Sequence, residues 1–414
     1  MKSEEIANIS NDAAQTLFRL PWTMADNAMT WLEPTRQCNM ECDACFHFND
    51  PSSDKSIEAI ENELQVMLRL RKCDAMLIAG GEPLTHPKII EITRLVKSYK
   101  CKPVIITNGV GLDDKFMREL KKAGAFGFTF HIDAHQSRTN WNGKTESEMN
   151  ELRQEYAEMT YEIGGLACAF NITLFPDTLH EVPKIIDWAA KNIDKVNILT
   201  LIAVRLLHES DPWNYYAGRK RVEINDTPYV SRVKYRHINS QEIYNEIIKQ
   251  IPNFRFNAFL GGTVLPNSLK WIIGTHIASK NNSYGSTGKK VMELLQIGHH
   301  FFTGKYLAYT KPRLNRKAKS MLLFSLFDKE MKKTAKRYFN SVFHSPSRIF
   351  EKLYVQTISA VQPIDILPNG EADTCDGCPN KTFWKNRLVP ACQLEEYMLY
   401  GTHISMVPEK ELAG

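Results

Sequence analysis

Residues 29–45 read MTWLEPTRQCNMECDAC, an apolar stretch running into Cys38, Cys42 and Cys45 at CxxxCxxC spacing. The first seven residues predict a strand, and the chain beyond the cysteines keeps a regular alternating pace. Further strands are expected over residues 74–79, 103–107, 126–132, 166–174 and 196–202. Helices are expected over 56–71, 87–99, 115–123, 146–163 and 181–192, with Pro87 in a first turn, Asp113 as an N-cap and Gly164–Gly165 as a stop. Strict alternation argues for a parallel sheet with right-handed crossovers, an open sheet or partial barrel whose functional groups gather at the C-terminal strand ends.

Three thiols within eight residues of loop can wrap one metal centre, but a closed zinc or iron–sulfur site wants four protein ligands. A cubane on three cysteines leaves one iron open to a non-protein ligand; a structural zinc knuckle is the competing reading. A second group, Cys375, Cys378 and Cys392, follows a turn at Pro368-Asn369-Gly370 near the end of the chain. There an auxiliary iron–sulfur cluster, a zinc ion with a non-cysteine ligand and unmetallated thiols all stay open. The fourth ligand is unassigned, with Cys168 or an open iron as candidates. Cys73, Cys101 and Cys168 otherwise read as small buried hydrophobes.

The CxxxCxxC loop after the first strand, with Gly80-Gly81-Glu82-Pro83, Thr107-Asn108-Gly109 and His131-Ile132-Asp133 at later strand ends, resembles the radical S-adenosylmethionine (SAM) superfamily over residues 29 to about 205. The resemblance implies a partial (β/α)6 TIM-like barrel, and a [4Fe-4S] cluster on Cys38, Cys42 and Cys45 whose open iron is chelated by SAM. It implies reductive cleavage of SAM to a 5'-deoxyadenosyl radical that abstracts hydrogen from an unactivated C–H bond. By the same resemblance Gly80, Gly81 and Glu82 receive the methionyl ammonium, the glycines letting backbone approach the ligand, and Asn108 lies beside SAM. Asp133 accepts from ribose or caps the segment that follows it. Asn171, which shares a strand face with Thr173, is a hydrogen-bonding partner for the cofactor. The family's usual aromatic before the third cysteine is here Ala44, so Phe46 or His47 takes the adenine. The C-terminal cysteines resemble a shortened auxiliary-cluster (SPASM/twitch-like) extension, and a flavodoxin or ferredoxin is the implied electron donor.

The 414 residues are 43% hydrophobic and 24% charged, globular proportions that exclude collagen, coiled coil and wholesale disorder. An odd count of nine cysteines, six of them in two clusters, and an N-terminus, MKSEEIANIS, without an apolar signal stretch point to the cytoplasm. The net charge of +5 is unevenly laid down: residues 211–350 hold 24 Lys and Arg against 8 Asp and Glu, +16, leaving −11 elsewhere. That segment either faces an anionic partner or docks on an acidic core. Within it, basic clusters flank the apolar run Met321 to Phe327, as in a helix lying on the inner face of an anionic membrane or a core helix with a charged outer side. His299 and His300 read as packing or surface residues, and Arg205 as a carboxylate partner or one half of a surface ion pair.

The organisation expected is a lead-in (1–28), a radical SAM core (29–205), a basic, largely helical region that shapes or covers the substrate site (206–350), and a metal-binding extension (351–414). Two substrate classes fit, a hydrophobic or lipid-linked anion and a peptide or small metabolite. From another class, a non-catalytic metal-binding module docking on polyanions competes. No nucleic-acid reader motif, Walker loop, HExxH helix or GxSxG elbow is present, so no nucleic-acid partner is expected.

Overall fold

The computed structural model describes residues 14–409 apart from Tyr229 and Arg232; the MKSEEIANIS stretch lies outside them. In chain order the strands are β1 (Phe18–Arg19), β2 (Met29–Thr35), β3 (Ala75–Gly80), β4 (Lys102–Thr107), β5 (Gly127–His131), β6 (Ala167–Leu174), β7 (Ile198–Ala203), β8 (Trp213–Ala217), β9 (Lys220–Arg221), β10 (Ala258–Leu260), β11 (Trp271–Ala278), β12 (Ser283–Ser286), β13 (Tyr354–Val361), β14 (Asp365–Ile366), β15 (Ala372–Asp373), β16 (Lys381–Trp384), β17 (Arg387–Pro390) and β18 (Ile404–Pro408). The helices are α1 (Ile57–Leu70), α2 (Ile89–Ser98), α3 (Asp114–Ala123), α4 (Asn150–Ile163), α5 (Val182–Lys191), α6 (Ser240–Gln250), α7 (Lys289–Thr303), α8 (Lys329–His344) and α9 (Leu394–Tyr400), besides two single turns at Pro312–Asn315 and Ala318–Met321.

Strands β2 to β7 form the expected parallel run, each paired in register with its successor. The sheet then continues past the expected six strands. Parallel β13 joins β7, antiparallel β11 joins β13, and β10 and β1 follow, giving the order β1-β10-β11-β13-β7-β6-β5-β4-β3-β2 with β12 on β11. The region 206–350 thus supplies strands as well as helices. Side chains alternate across the sheet. Met76, Ile78, Ile105, Phe128 and Phe170 pack outward under the helices, while Met29, Leu77, Val104, Ala167 and Leu260 point into the barrel.

Local chemistry sets the helix ends. Ser56 caps α1 and Asp113 caps α3, each accepting from a backbone N–H of the first turn, and Gly164 follows α4. Pro87 lies in a turn before α2, which starts at Ile89. Helix α4 starts four residues later than expected, because Glu146 is drawn inward to the fully buried Arg153 and accepts from Ala134 N–H at 2.8 Å. The apolar run 321–327 is no part of a long basic helix: a 3₁₀ segment, Leu322–Leu326, ends before Asp328, which caps α8.

The two end strands of the sheet, β1 and β2, are bridged by the second cysteine loop. On one side Asp376 pairs with Arg19, which ends β1. On the other, Asn27 donates to Gly377 O at 3.0 Å, Thr30 of β2 to Lys381 O at 2.9 Å, and buried Arg71 to Cys378 O at 3.0 Å. A Cβ at Gly377 would collide with the Trp22 carbonyl oxygen, so this seam admits only glycine there. No helix among the described residues is long and apolar enough to cross a membrane.

Candidate cofactor site and its cavity

The first cysteine loop is stitched to the C-terminal strand ends by backbone. Gly81 N–H donates to Thr35 O at 3.0 Å and Glu82 N–H to Gln37 O at 2.7 Å. A Cβ at Gly81 would strike the Gln37 carbonyl, so this glycine permits the close approach of two chain segments beside the cavity. Past Cys38, Asp43 N–H donates to His135 O and Ser137 N–H to Glu41 O, with Cys42 and Gln136 in an isolated bridge. Asn108 reaches across to the loop, its Nδ2 2.7 Å from Asn39 Oδ1 and 3.9 Å from Cys38 Sγ.

All three thiols line one cavity of about 1200 Å³ that fills the barrel. Gly80, Gly81, Glu82, Asn108, Asp133, Asn171 and Phe46 line it too, so every residue singled out around the first loop faces one space. Cys375, Cys378 and Cys392 line it from the seam. Cys168 does not: it sits on the outer face of β6 under Thr160, its thiol pushed up to about 12 by burial, and is no fourth ligand.

Buried Glu82 accepts from Thr107 Oγ1 (2.7 Å), Asn108 N–H (2.6 Å) and Leu84 N–H (2.9 Å), and burial pushes its carboxyl up to about 7. A carboxylate has about four acceptor positions, so one remains for a cationic ligand group. Asp133 is buried against His131 at 3.2 Å and accepts from His135 N–H at 3.1 Å. Burial works against its charge, but the hydrogen bond and charge of His131 prevail and hold it low. It caps no helix, since α4 begins seventeen residues on. Thr173 shares the inner face of β6 with Asn171 and bonds His131 at 3.0 Å.

Several contacts carried no sequence signal. Arg138, buried, donates to Asn108 O at 2.8 Å and His131 O at 2.9 Å, and its charge acts on Cys42, Glu82 and Asp133. His47 lies between Glu33 (3.8 Å) and Glu395 (3.5 Å); the Glu395 carboxylate also takes Phe48 N–H at 3.3 Å and Arg36 at 3.4 Å. Glu395 stands three residues past Cys392, so this buried knot ties the two cysteine loops together. Arg205 is not on the surface: it pairs with Asp365 at 2.8 Å, and the Asp365 carboxylate also pairs with fully buried Lys270. His299 and His300 stand away from the cavity, His300 holding Asp26 at 2.7 Å.

Residues 32–189 match the Radical SAM superfamily. This part of the chain is a radical SAM domain. The chain is 30% identical over 106 residues to the tungsten-containing aldehyde ferredoxin oxidoreductase cofactor-modifying protein of Pyrococcus furiosus, covering 25% of this chain and 30% of that protein. It is 24% identical over 200 residues to the 7,8-dihydro-6-hydroxymethylpterin dimethyltransferase of Methanocaldococcus jannaschii, covering 45% and 38%. The chain therefore spans 30 to 38% of the length of these curated relatives. SuiB of Streptococcus suis bound to S-adenosylmethionine superposes with a TM-score of 0.40 at 14% identity, over 55% of this chain and 48% of that chain.

The radical SAM domain brings the superfamily's cofactors, a [4Fe-4S] cluster and SAM, and the first loop's donor set fits them. Cys38, Cys42 and Cys45 are free, and burial raises all three thiols, so without a metal they stand protonated. Among the described residues no three His, Cys, Asp or Glu side chains converge as a single ion requires. The thiolates of a four-iron cluster stand farther apart, each on its own iron. In the second loop burial raises Cys392, while a hydrogen bond from Cys375, with Lys381 and Arg71 nearby, lowers Cys378.

Proposed function

We propose that this chain is a radical SAM enzyme that takes a hydrogen atom from an unactivated C–H bond of a hydrophobic or lipid-linked, anionic substrate. The observation that carries this is the continuity of one cavity. It begins among the cysteine loop, Glu82 and Asp133, and runs down the barrel past Trp31, Leu77, Ile106, Ile198, Trp271 and Leu307. Its volume of about 1200 Å³ has to hold cofactors and substrate together, and its walls are mainly apolar, which suits an apolar chain better than a polar metabolite.

In this reading Cys38, Cys42 and Cys45 hold the cluster, and Gly80, Gly81 and Glu82 receive the ammonium of SAM. Asn108, Asp133 and Asn171 bond its polar groups, and Phe46 packs its adenine. Held by these residues, the cluster and SAM would supply radical chemistry, with a flavodoxin or ferredoxin as the electron donor. Arg138 keeps Asn108 and the β5 end in place, and the apolar barrel keeps water from the reacting carbon. Residues 29–205 form the catalytic core, 206–350 shape the substrate end, and 351–414 carry an auxiliary cluster on Cys375, Cys378 and Cys392. An auxiliary cluster there would accept an electron or anchor substrate beside the same cavity.

The test is anaerobic reconstitution with iron and sulfide, then reduction in the presence of SAM. Methionine and 5'-deoxyadenosine are expected from the wild type and neither from Cys38→Ala. If both proteins behave alike, the reading is wrong. A peptide substrate would be indicated instead if lipid-like anions left the yield unchanged while peptides raised it.

A further inference from the structure

Six large apolar side chains among the described residues expose 70% or more of their surface, and all lie between residues 301 and 350: Phe301, Phe302, Leu323, Leu326, Phe343 and Phe350. Monomers rarely gather such side chains without a partner. The elements that carry them are packed together, because Leu295 of α7, Leu322 and Phe324 of the 3₁₀ segment and Met331, Tyr338 and Val342 of α8 share one small core. Asp328 binds that core at its base, capping α8 through Met331 N–H at 2.8 Å and α7 through Gly288 N–H at 3.0 Å. Along the segment that carries four of these side chains the charge is one-sided. Residues 311–352 hold twelve Lys and Arg against three Asp and Glu; of the three, Asp328 is the buried cap and Glu330 is paired with Lys333 at 2.7 Å.

The same elements wall the lower end of the cavity. Met292 and Leu295 of α7, and Leu314, Lys317, Met321 and Phe324 before α8, line it. Along 321–326 the chain thus turns Met321 and Phe324 inward and Leu323 and Leu326 outward.

We infer that this face docks on an anionic bilayer, with Leu326, Phe343 and Phe350 entering the boundary of the acyl chains while the surrounding lysines and arginines meet the headgroups. Charge decides the occupant. A second copy would set one strongly basic face against another, and a nucleic acid would meet the cations but give protruding leucine and phenylalanine side chains nowhere to bury. A surface with negative headgroups over an apolar interior satisfies both, in the manner of interfacial helices. That the docked face also admits substrate to the cavity rests on the function proposed above; the docking itself does not.

Flotation of the full chain tests it, with vesicles of phosphatidylcholine alone and of phosphatidylcholine with phosphatidylglycerol. The wild type should float with the anionic vesicles and not with the neutral ones, and release as salt rises to about 0.5 M, where charges are screened within a few ångströms. L326D/F343D/F350D touches no cavity-lining residue; it should keep the wild-type melting temperature and 5'-deoxyadenosine yield while binding falls roughly a hundredfold or more. Absence of wild-type flotation at low salt, flotation unchanged in the folded triple variant, or a concentration-dependent dimer that the variant abolishes would each overturn the inference. A protein that floats but yields no 5'-deoxyadenosine loses the proposed chemistry and keeps the docking surface; one that yields it but never floats does the reverse.

Discussion

The loop of Cys38, Cys42 and Cys45 hangs from the C-terminal strand ends by backbone hydrogen bonds and offers its thiols to the cavity. The loop of Cys375 and Cys378 instead closes the seam between the end strands, held by Arg19, Asn27, Thr30 and Arg71. Both face one space, yet only the second joins parts of the barrel that sequence keeps far apart. Chemistry and architecture therefore separate: damage to the first loop should cost activity, and damage around the second should cost stability first.

The largest effect is expected at the first loop. Cys38→Ala, Cys42→Ala or Cys45→Ala should bring 5'-deoxyadenosine formation down to background while the chemical-denaturation midpoint stays put. A midpoint that falls with them would erase the distinction between the loops.

Next comes the charged knot that holds the second loop's hairpin. Asp365→Ala takes the carboxylate from Arg205 and leaves fully buried Lys270 with Asp373 alone, at 3.2 Å, a loss of about 3 kcal/mol, measured by denaturation. His276 serves as a control in neither loop. Burial in β11 lowers its pKa from 6.5 to about 4, so between those values the unfolded chain binds a proton that the folded chain refuses. Its contribution is whole above pH 6.5 and drains away as pH falls to about 4, by roughly 3 kcal/mol. Melting temperatures between pH 7.5 and 4.5 should show the slope, and His276→Gln should flatten it.

The smallest effect sharpens the comparison most. Arg71→Met removes donors to Met24 O (2.8 Å), Met29 O (3.1 Å) and Cys378 O (3.0 Å), at about 2 kcal/mol. Hydrogen exchange should quicken in residues 373–381 and remain unchanged in 38–45.

Much of the parallel run from β2 to β7 was legible in the sequence because its signals are local. Strands buried on both faces read as apolar runs, Asp113 and Gly164 mark helix ends, and the two-residue period put Asn171 and Thr173 on one inner face. The closure of the barrel was not legible. β1 and β10 pair across more than two hundred residues, and β13 enters beside β7 from the far end of the chain; nothing in either short stretch names its neighbour. The same holds for Arg71, Arg138 and the His47–Glu395 contact, ordinary charged residues until the fold makes them partners. The run at 321–327 misled because its hydrophobicity is divided between a cavity wall and an exposed face, where a helical reading expects one core side.

The most direct test of one cavity served by two cluster-holding loops is iron and acid-labile sulfide per chain after anaerobic reconstitution. The wild type should hold more than one cluster's worth. The triple alanine variant at Cys38, Cys42 and Cys45 should lose part of that iron together with all 5'-deoxyadenosine formation, and the triple variant at Cys375, Cys378 and Cys392 should lose the rest. Zinc without sulfide, or iron untouched by removal of Cys38, Cys42 and Cys45, would contradict the account.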